Sequence, residues 1–255
     1  MDEKSSKRRP LSKKLEVLDD KYIVKTSENY KGLSYNNIII RWQRWLLSDR
    51  PDQHQFGDIL FLRGSVGYHR SSSSYLHTSV VVPEGIPILV PVVTTLYNIG
   101  ERYKGQLIKD EFYLRKAVRE HVDAAGPFWA TLSNNGGRVF RLAQNLAEFR
   151  VESMLFKLKV SEQNPFLDRM DERIFPGEYT SLVAGFFILL RDLPPSSYKI
   201  RFGGYGMDGF YTESLYEIQI ISRKISAKDI SGATFSPDHL TTEKKNPIET
   251  KIKII

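Results

Sequence analysis

The residues able to do chemistry in this chain are few in kind, because it contains no cysteine. That removes thiol nucleophiles, zinc–thiolate centres, iron–sulfur ligation and disulfides together. The five histidines are His54, His69, His77, His121 and His239. No two of them stand at i, i+4 on a helix or i, i+2 on a strand, the spacings that let one element present two metal ligands. His69 and His77 flank the run Ser71–Ser74. A Ser–His nucleophile pair there would need a strand–turn–helix elbow of the form G-x-S-x-G to raise the serine, and the sequence has none. No metal site and no cofactor are implied.

Carboxylates and aromatic rings offer more. Glu101 follows an apolar strand and the turn Asn98-Ile99-Gly100, which puts it at a sheet rim. Asp208 and Glu213 lie in or beside the loop Gly203-Gly204-Tyr205-Gly206-Met207-Asp208-Gly209. Carboxylates from different loops at one end of a sheet can bind calcium or share acid and base roles, while turns also use Asp and Gly for backbone reasons alone. The glycine loop lacks G-x-G-x-x-G order and leads into no helix, so it is not a phosphate cradle. Tyr205, Phe210 and Tyr211 make it aromatic. Flat rings and hydroxyls suit contact with a carbohydrate or a protein, so Glu101, Tyr205, Asp208, Tyr211 and Glu213 form the candidate ligand set.

Charge is segregated. Of the formal net charge of +7, residues 1–14 carry +4, from six Lys/Arg against two acids, and residues 222–255 carry +3, from seven against four. Residues 15–221 are therefore neutral. Lys7, Arg8, Arg9, Lys13 and Lys14 are the candidate contacts to nucleic acid or another polyanion, since clustered cations neutralise phosphates without reading sequence. The alternative is a pair of solvated ends that keep the chain soluble.

These residues need a scaffold, and its periodicity is legible. Ile38, Trp42, Trp45 and Leu46 recur along one helical stripe, with Ser34 as N-cap and Pro51 beyond the end. Residues 110–125 form a second helix with Phe112, Ala117, Val118 and Val122 on one side and Gly126-Pro127 as the stop. Strands are expected at 58–63, 75–82 and 85–93, the last an edge or bulged strand because of Pro87 and Pro91. The segments 128–132 and 138–142 flank Asn135-Gly136 and read as a hairpin. Further strands follow over 153–160, 182–190, 198–202 and 216–220. The run 182–190 is continuously apolar and reads as buried on both faces. Tyr198, entering its strand through Leu193-Pro194-Pro195, has the placing of a tyrosine corner.

About nine strands, with turn signals every 8–15 residues, predict a mostly antiparallel β-sandwich, jelly-roll-like, with one or two accessory helices. The expected division is a basic, extended arm over 1–33, the sandwich over 34–221 and a basic tail over 222–255. Met1–Lys14 has no apolar stretch for a signal peptide, and no run nears the ~20 residues of a spanning helix. Cytoplasm or a virion is the expected location, with no membrane partner.

Three stretches carry a resemblance. They are Arg41-Trp42-Gln43-Arg44-Trp45-Leu46-Leu47-Ser48, the segment Val82-Pro83-Glu84-Gly85-Ile86-Pro87-Ile88-Leu89-Val90-Pro91-Val92-Val93, and Leu193-Pro194-Pro195 with Tyr198-Lys199-Ile200-Arg201-Phe202-Gly203-Gly204. Together they resemble a widespread set of uncharacterised bacterial and archaeal β-sandwich proteins. In that set a Trp-rich helix precedes a strand with a P-x-G turn, and a PPG-x-Y/H-x-I strand closes the domain. Ser196 stands here in place of the last glycine. The likeness spans roughly residues 34–220 and implies a shared fold without an activity.

The functional expectation is thus a non-enzymatic binding or assembly protein. One form is a shell or virion-type jelly roll that self-associates and turns its arm to nucleic acid. The alternatives are a glycan- or small-ligand-binding module and a hydrolase using rim carboxylates.

Overall fold

The alternating apolar segments become strands and the two segments with a helical stripe become helices. The computed structural model describes residues 15–49, 51, 55–56, 58–64, 73–164, 175–206, 211–222 and 248–249. In chain order the elements are β1 (Glu16–Val17), β2 (Ile23–Val24), α1 (Tyr35–Leu46), β3 (Gln55–Phe56), β4 (Ile59–Phe61), β5 (Ser73–Pro83), β6 (Ile88–Asn98), β7 (Arg102–Tyr103) and β8 (Gln106–Leu107). There follow α2 (Glu111–Asp123), β9 (Phe128–Asn134), β10 (Val139–Arg141), β11 (Arg150–Glu152), β12 (Phe156–Val160), β13 (Gly177–Leu190), β14 (Ser196–Tyr205), β15 (Tyr211–Ile221) and β16 (Ile248–Glu249). The protein is mainly β.

The strands form two seven-stranded sheets. The first has the order β1-β10-β9-β14-β15-β5-β16, and the second runs β11-β13-β6-β4-β3 with β12 and β2 also on β13. A separate hairpin joins β7 to β8. Most ladders are antiparallel, but β15 and β5 pair in parallel over eleven residues, Tyr211↔Ser73 to Ile221↔Pro83. Periodicity cannot reveal this, since a half-buried strand alternates whichever way its neighbour runs.

One core lies between the sheets. Leu76, Val80, Val82, Ala130, Leu132, Ile200, Phe202, Tyr216 and Ile218 of the first sheet share an apolar cluster with Ile88, Val90, Leu182, Ala184 and Ile188 of the second. The opposite face of the second sheet packs on α1, where Val183, Phe187 and Leu189 meet Ile38, Trp42 and Trp45. Successive residues of β13 therefore face two different cores, which is why 182–190 can be apolar throughout.

The expected anchors are in place. The Ser34 hydroxyl accepts from the Asn37 N–H at 3.3 Å and caps α1. Trp42 packs edge-on against Phe187 and donates its indole N–H to Leu62 O at 2.7 Å. Tyr198 donates to Pro194 O at 2.9 Å, closing the tyrosine corner. The hairpin of β9 and β10 pairs through Ser133↔Val139.

The structure refines four expectations. The inner part of the presumed arm, residues 15–33, joins the sheets: β1 runs parallel to β10 and β2 pairs with β13. Phe112 is not on the buried face of α2 but 71% exposed. It lies two residues before Leu114, roughly 200° away round the helix, and the inward stripe is Leu114, Ala117, Val118 and Val122. The proline strand β6 is not at the edge, since it lies between β13 and β4. It is bulged, with the register shifting where Phe187 meets Pro91 and Phe186 meets Val93. Pro91 is tolerated because it sits at that shift, beyond the Phe61↔Leu89 end of the β4 ladder. Lastly, the antiparallel body carries the parallel β15–β5 seam.

Candidate functional site

The outer face of the first sheet gathers the aromatic and charged residues that the two middle strands cannot bury. Alternation turns Ile200 and Phe202 of β14 inward and leaves Lys199 and Arg201 outward. On β15 it turns Ser214, Tyr216 and Ile218 inward and leaves Tyr211, Glu213 and Glu217 outward. Pairing then sets Trp129, Gly203, Glu213 and Tyr75 in one row across four strands. The next row holds Tyr205 opposite Tyr211.

Gly203 is the gap in that row. A β-carbon there would lie 2.0 Å from Thr212 O, so no larger residue fits without moving backbone. With no side chain between them, Trp129 reaches over to Tyr211, ring centroids 5.5 Å apart and tilted by 32°. Tyr205 meets the same tyrosine edge-on at 5.1 Å. Tyr205 is 40% exposed and Tyr75 37%, so rings on either side of Glu213 are open to solvent.

Glu213 itself is only 7% exposed. Arg201 Nε donates to its Oε1 at 2.6 Å, and the Tyr211 hydroxyl donates to its Oε2. Burial alone would raise the carboxyl, but these two donors outweigh it and hold Glu213 below the usual carboxylate range. Burial, reinforced by the bond to Glu213, pushes the Tyr211 phenol up to about 12. Farther along the strands Lys199 pairs with Glu217 at 2.7 Å, and His77 lies 3.8 Å from the same carboxylate.

Of the candidate ligand set, Tyr205, Tyr211 and Glu213 come together. Glu101 does not join them. Its Oε1 accepts from Asn98 Nδ2 at 2.6 Å and its Oε2 from Asn98 N at 3.2 Å, so it closes the turn after β6. That turn belongs to the second sheet, whereas Glu213 faces away from the shared core. Asp208 falls outside the described residues, as do Lys7, Arg8, Arg9, Lys13 and Lys14. No family model, curated protein or solved structure matches the chain. The site must be read from its own geometry.

Sequence reasoning missed Trp129, Arg201 and Tyr75. Alternation shows that each points away from its strand's apolar face, but not that β9, β14, β15 and β5 are neighbours. Among the described residues no group of three or more His, Asp or Glu is arranged to hold a metal ion. A hollow between the β7–β8 hairpin and α2, lined by Tyr103, Leu107, Tyr113 and Lys116, encloses ≈ 80 Å³. That is well below the ~300 Å³ at which ligand pockets begin.

The arrangement is suited to binding more than to proton transfer. A general acid needs a raised carboxyl pKa and a base needs an oxygen available for a proton. Glu213 has a lowered pKa and donors on both oxygens. What it does is fix Arg201 and Tyr211 in place. The Arg201 side chain remains 57% exposed beyond its Nε contact.

Proposed function

We propose that this protein is a non-catalytic binding module that takes a glycan on the outer face of its first sheet. The observation that carries this reading is the cluster of Trp129, Tyr205 and Tyr211 rings around the Glu213–Arg201 pair. Sugar rings pack their C–H faces on aromatic side chains, and their hydroxyls take hydrogen bonds from fixed polar groups at the rim. Arg201 is an outward donor held by a buried carboxylate, and Tyr205 and Tyr75 offer hydroxyls. The low pKa of Glu213 favours this over a hydrolase built on that carboxylate.

The fold we infer beneath it is a jelly-roll-like β-sandwich, supported by the single core that both sheets share. The parallel β15–β5 seam is its departure from an all-antiparallel jelly roll. The resemblance to the uncharacterised sandwich proteins with a Trp-rich N-terminal helix agrees with this reading. A second reading, self-association of a shell-type protein with its arm on nucleic acid, rests on the +4 charge of residues 1–14.

Trp129 makes the first reading directly testable. The chain has three tryptophans, and Trp42 and Trp45 are buried at 1% and 2% exposure. A ligand on this face should change the emission of Trp129 alone. Titration with a panel of oligosaccharides is expected to give a saturable fluorescence change that is lost in Trp129→Phe and weakened about tenfold or more in Tyr205→Ala, the loss of one stacking ring. A panel that neither changes the emission nor registers on a glycan array would overturn the proposal.

A further inference from the structure

The row of the first sheet next to Trp129 carries a cation that its neighbouring acids do not neutralise. Register puts Arg141 of β10, Thr131 of β9 and Arg201 of β14 side by side. Phe140 packs against the core between the sheets, so alternation turns Arg141 to the outer face that Arg201 shares. Thr131 between them is short, and its hydroxyl donates to Arg201 O at 3.4 Å.

The two guanidinium groups are unequally satisfied. Arg201 gives its Nε to Glu213, and among the described residues its two amino groups have no protein partner. The edge they form is the one that takes a carboxylate or sulfate through two parallel hydrogen bonds. Arg141 is half-buried, and its Nη2 donates to the neutral amide oxygen of Gln144 at 3.0 Å. Its Nε is buried and makes no hydrogen bond. The acids of nearby strands are already engaged, Glu16 by Arg138, Glu213 by Arg201 and Glu217 by Lys199. A half-buried cation without a counter-charge is costly, and an anion brought by a ligand would supply one.

The spacing suits a sugar. Two strand separations set the arginine α-carbons ~10 Å apart, so both side chains can reach the space above Thr131. Trp129 lies two residues along β9 from Thr131 on the same face, ~7 Å away. A pyranose ring stacked on Trp129 therefore carries a ring substituent into the space between the two arginines.

We propose that the glycan taken by this face is acidic, with a carboxylate or sulfate of the sugar at Trp129 held between Arg201 and Arg141. This rests on the glycan reading above and adds the ligand's charge to it. Glu213 then acts as a positioning residue: by holding Nε it leaves the free edge of Arg201 for the anion.

Trp129 emission reads this face in the full chain, because residues 1–14 and 222–255 contain no tryptophan. Oligogalacturonate and its methyl ester share rings and linkages and differ only at the carboxylate. At low salt the free acid should bind at least about tenfold more tightly than the ester, the worth of one charge-assisted contact. That ratio should shrink as salt is raised. Arg141→Gln should reduce it at least about threefold, whereas Lys159→Gln, an exposed position on β12 of the other sheet, should leave it as in the parent. Keratan sulfate against its desulfated form repeats the comparison with sulfate in place of carboxylate. A preference for the charged member of either pair supports the proposal and names the anion. Equal affinity within both pairs, or binding of neutral oligosaccharides alone, would overturn the acidic ligand and leave the glycan reading standing. Silence of Trp129 toward every sugar, charged or neutral, would overturn both. A preference lowered as much by Lys159→Gln as by Arg141→Gln would overturn the proposal in favour of general attraction to a basic chain.

Discussion

Glu213 is the residue on which the outer face turns. It is almost buried, yet ionised, because Arg201 and Tyr211 both donate to it. Its carboxyl pKa is lower in the folded state than the ~4.3 of a free glutamate. The stability it contributes is therefore complete above about pH 5 and disappears as pH falls through the folded value. Glu213→Gln keeps the shape and removes the charge. It should cost ~1 kcal/mol near neutrality, discounted because Arg201 is largely in solvent. The difference from the parent should vanish at the acid end, as urea midpoints measured from pH 7 to pH 3 will record. Tyr211 behaves in the opposite sense. Its raised value means that the neutral phenol is favoured, so its contribution is intact below about pH 10 and is lost as pH rises toward 12. In the Gln variant part of that shift should be relieved, and the phenolate absorbance near 295 nm should rise at lower pH than in the parent.

At the scale of elements, the two sheets are joined by specific polar pins as well as by apolar contact. Tyr216 on β15 crosses the core to the chain just after β4. Its hydroxyl accepts from Arg63 N at 3.0 Å and donates to Arg63 O at 3.1 Å. Tyr216 is fully buried, and burial pushes its phenol up to about 12. Tyr216→Phe should leave two backbone groups without this partner and cost ~1–3 kcal/mol. A lower urea midpoint with an unchanged m-value is the expected result. A comparable pin holds the N-terminal segment: Tyr35 on α1 donates to Val24 O and accepts from Leu189 N, each at 2.9 Å. That pin fixes β2 between α1 and β13, while β1 is held separately by its pairing with β10.

At the scale of the whole molecule, the neutral span of residues 15–221 sits between basic ends. The proposed polyanion contact rests on Lys7, Arg8, Arg9, Lys13 and Lys14, and the proposed ligand binding beside Trp129 should be indifferent to it. Deleting residues 1–14 should lower the salt at which the protein leaves a heparin column. It should also reduce the slope of log K against log salt by up to about 4.5, at 0.9 per phosphate for these five cations. Trp129 fluorescence titrations should not change. The described helices contain none long and apolar enough to cross a membrane.

Much of this molecule was readable along the chain because strands and caps are local. Period two marked β12, β14 and β15, the Asn-Gly turn marked the β9–β10 hairpin, Ser34 marked the start of α1, and Pro194 marked the corner of Tyr198. The site was half readable. Tyr205, Tyr211 and Glu213 are close in sequence and lie on paired strands, so a loop reading found them. Trp129, Arg201 and Tyr75 were not found, because they join the site only through the order of strands in the sheet. Glu101 was placed with them for its position at a rim, but hydrogen bonds to Asn98 keep it in its own turn. By itself, then, the sequence determined which residues face inward, where elements begin and stop, and where the net charge lies, all of which depend on neighbours in the chain. Only the tertiary structure decided that β5 runs parallel beside β15, that Gly203 opens a gap for Trp129, and that Glu213 is held ionised. Those outcomes depend on which strands pair and in what register, from Arg201 beside Glu213 on neighbouring strands to β5 beside β15 more than a hundred positions away, and no local pattern encodes that.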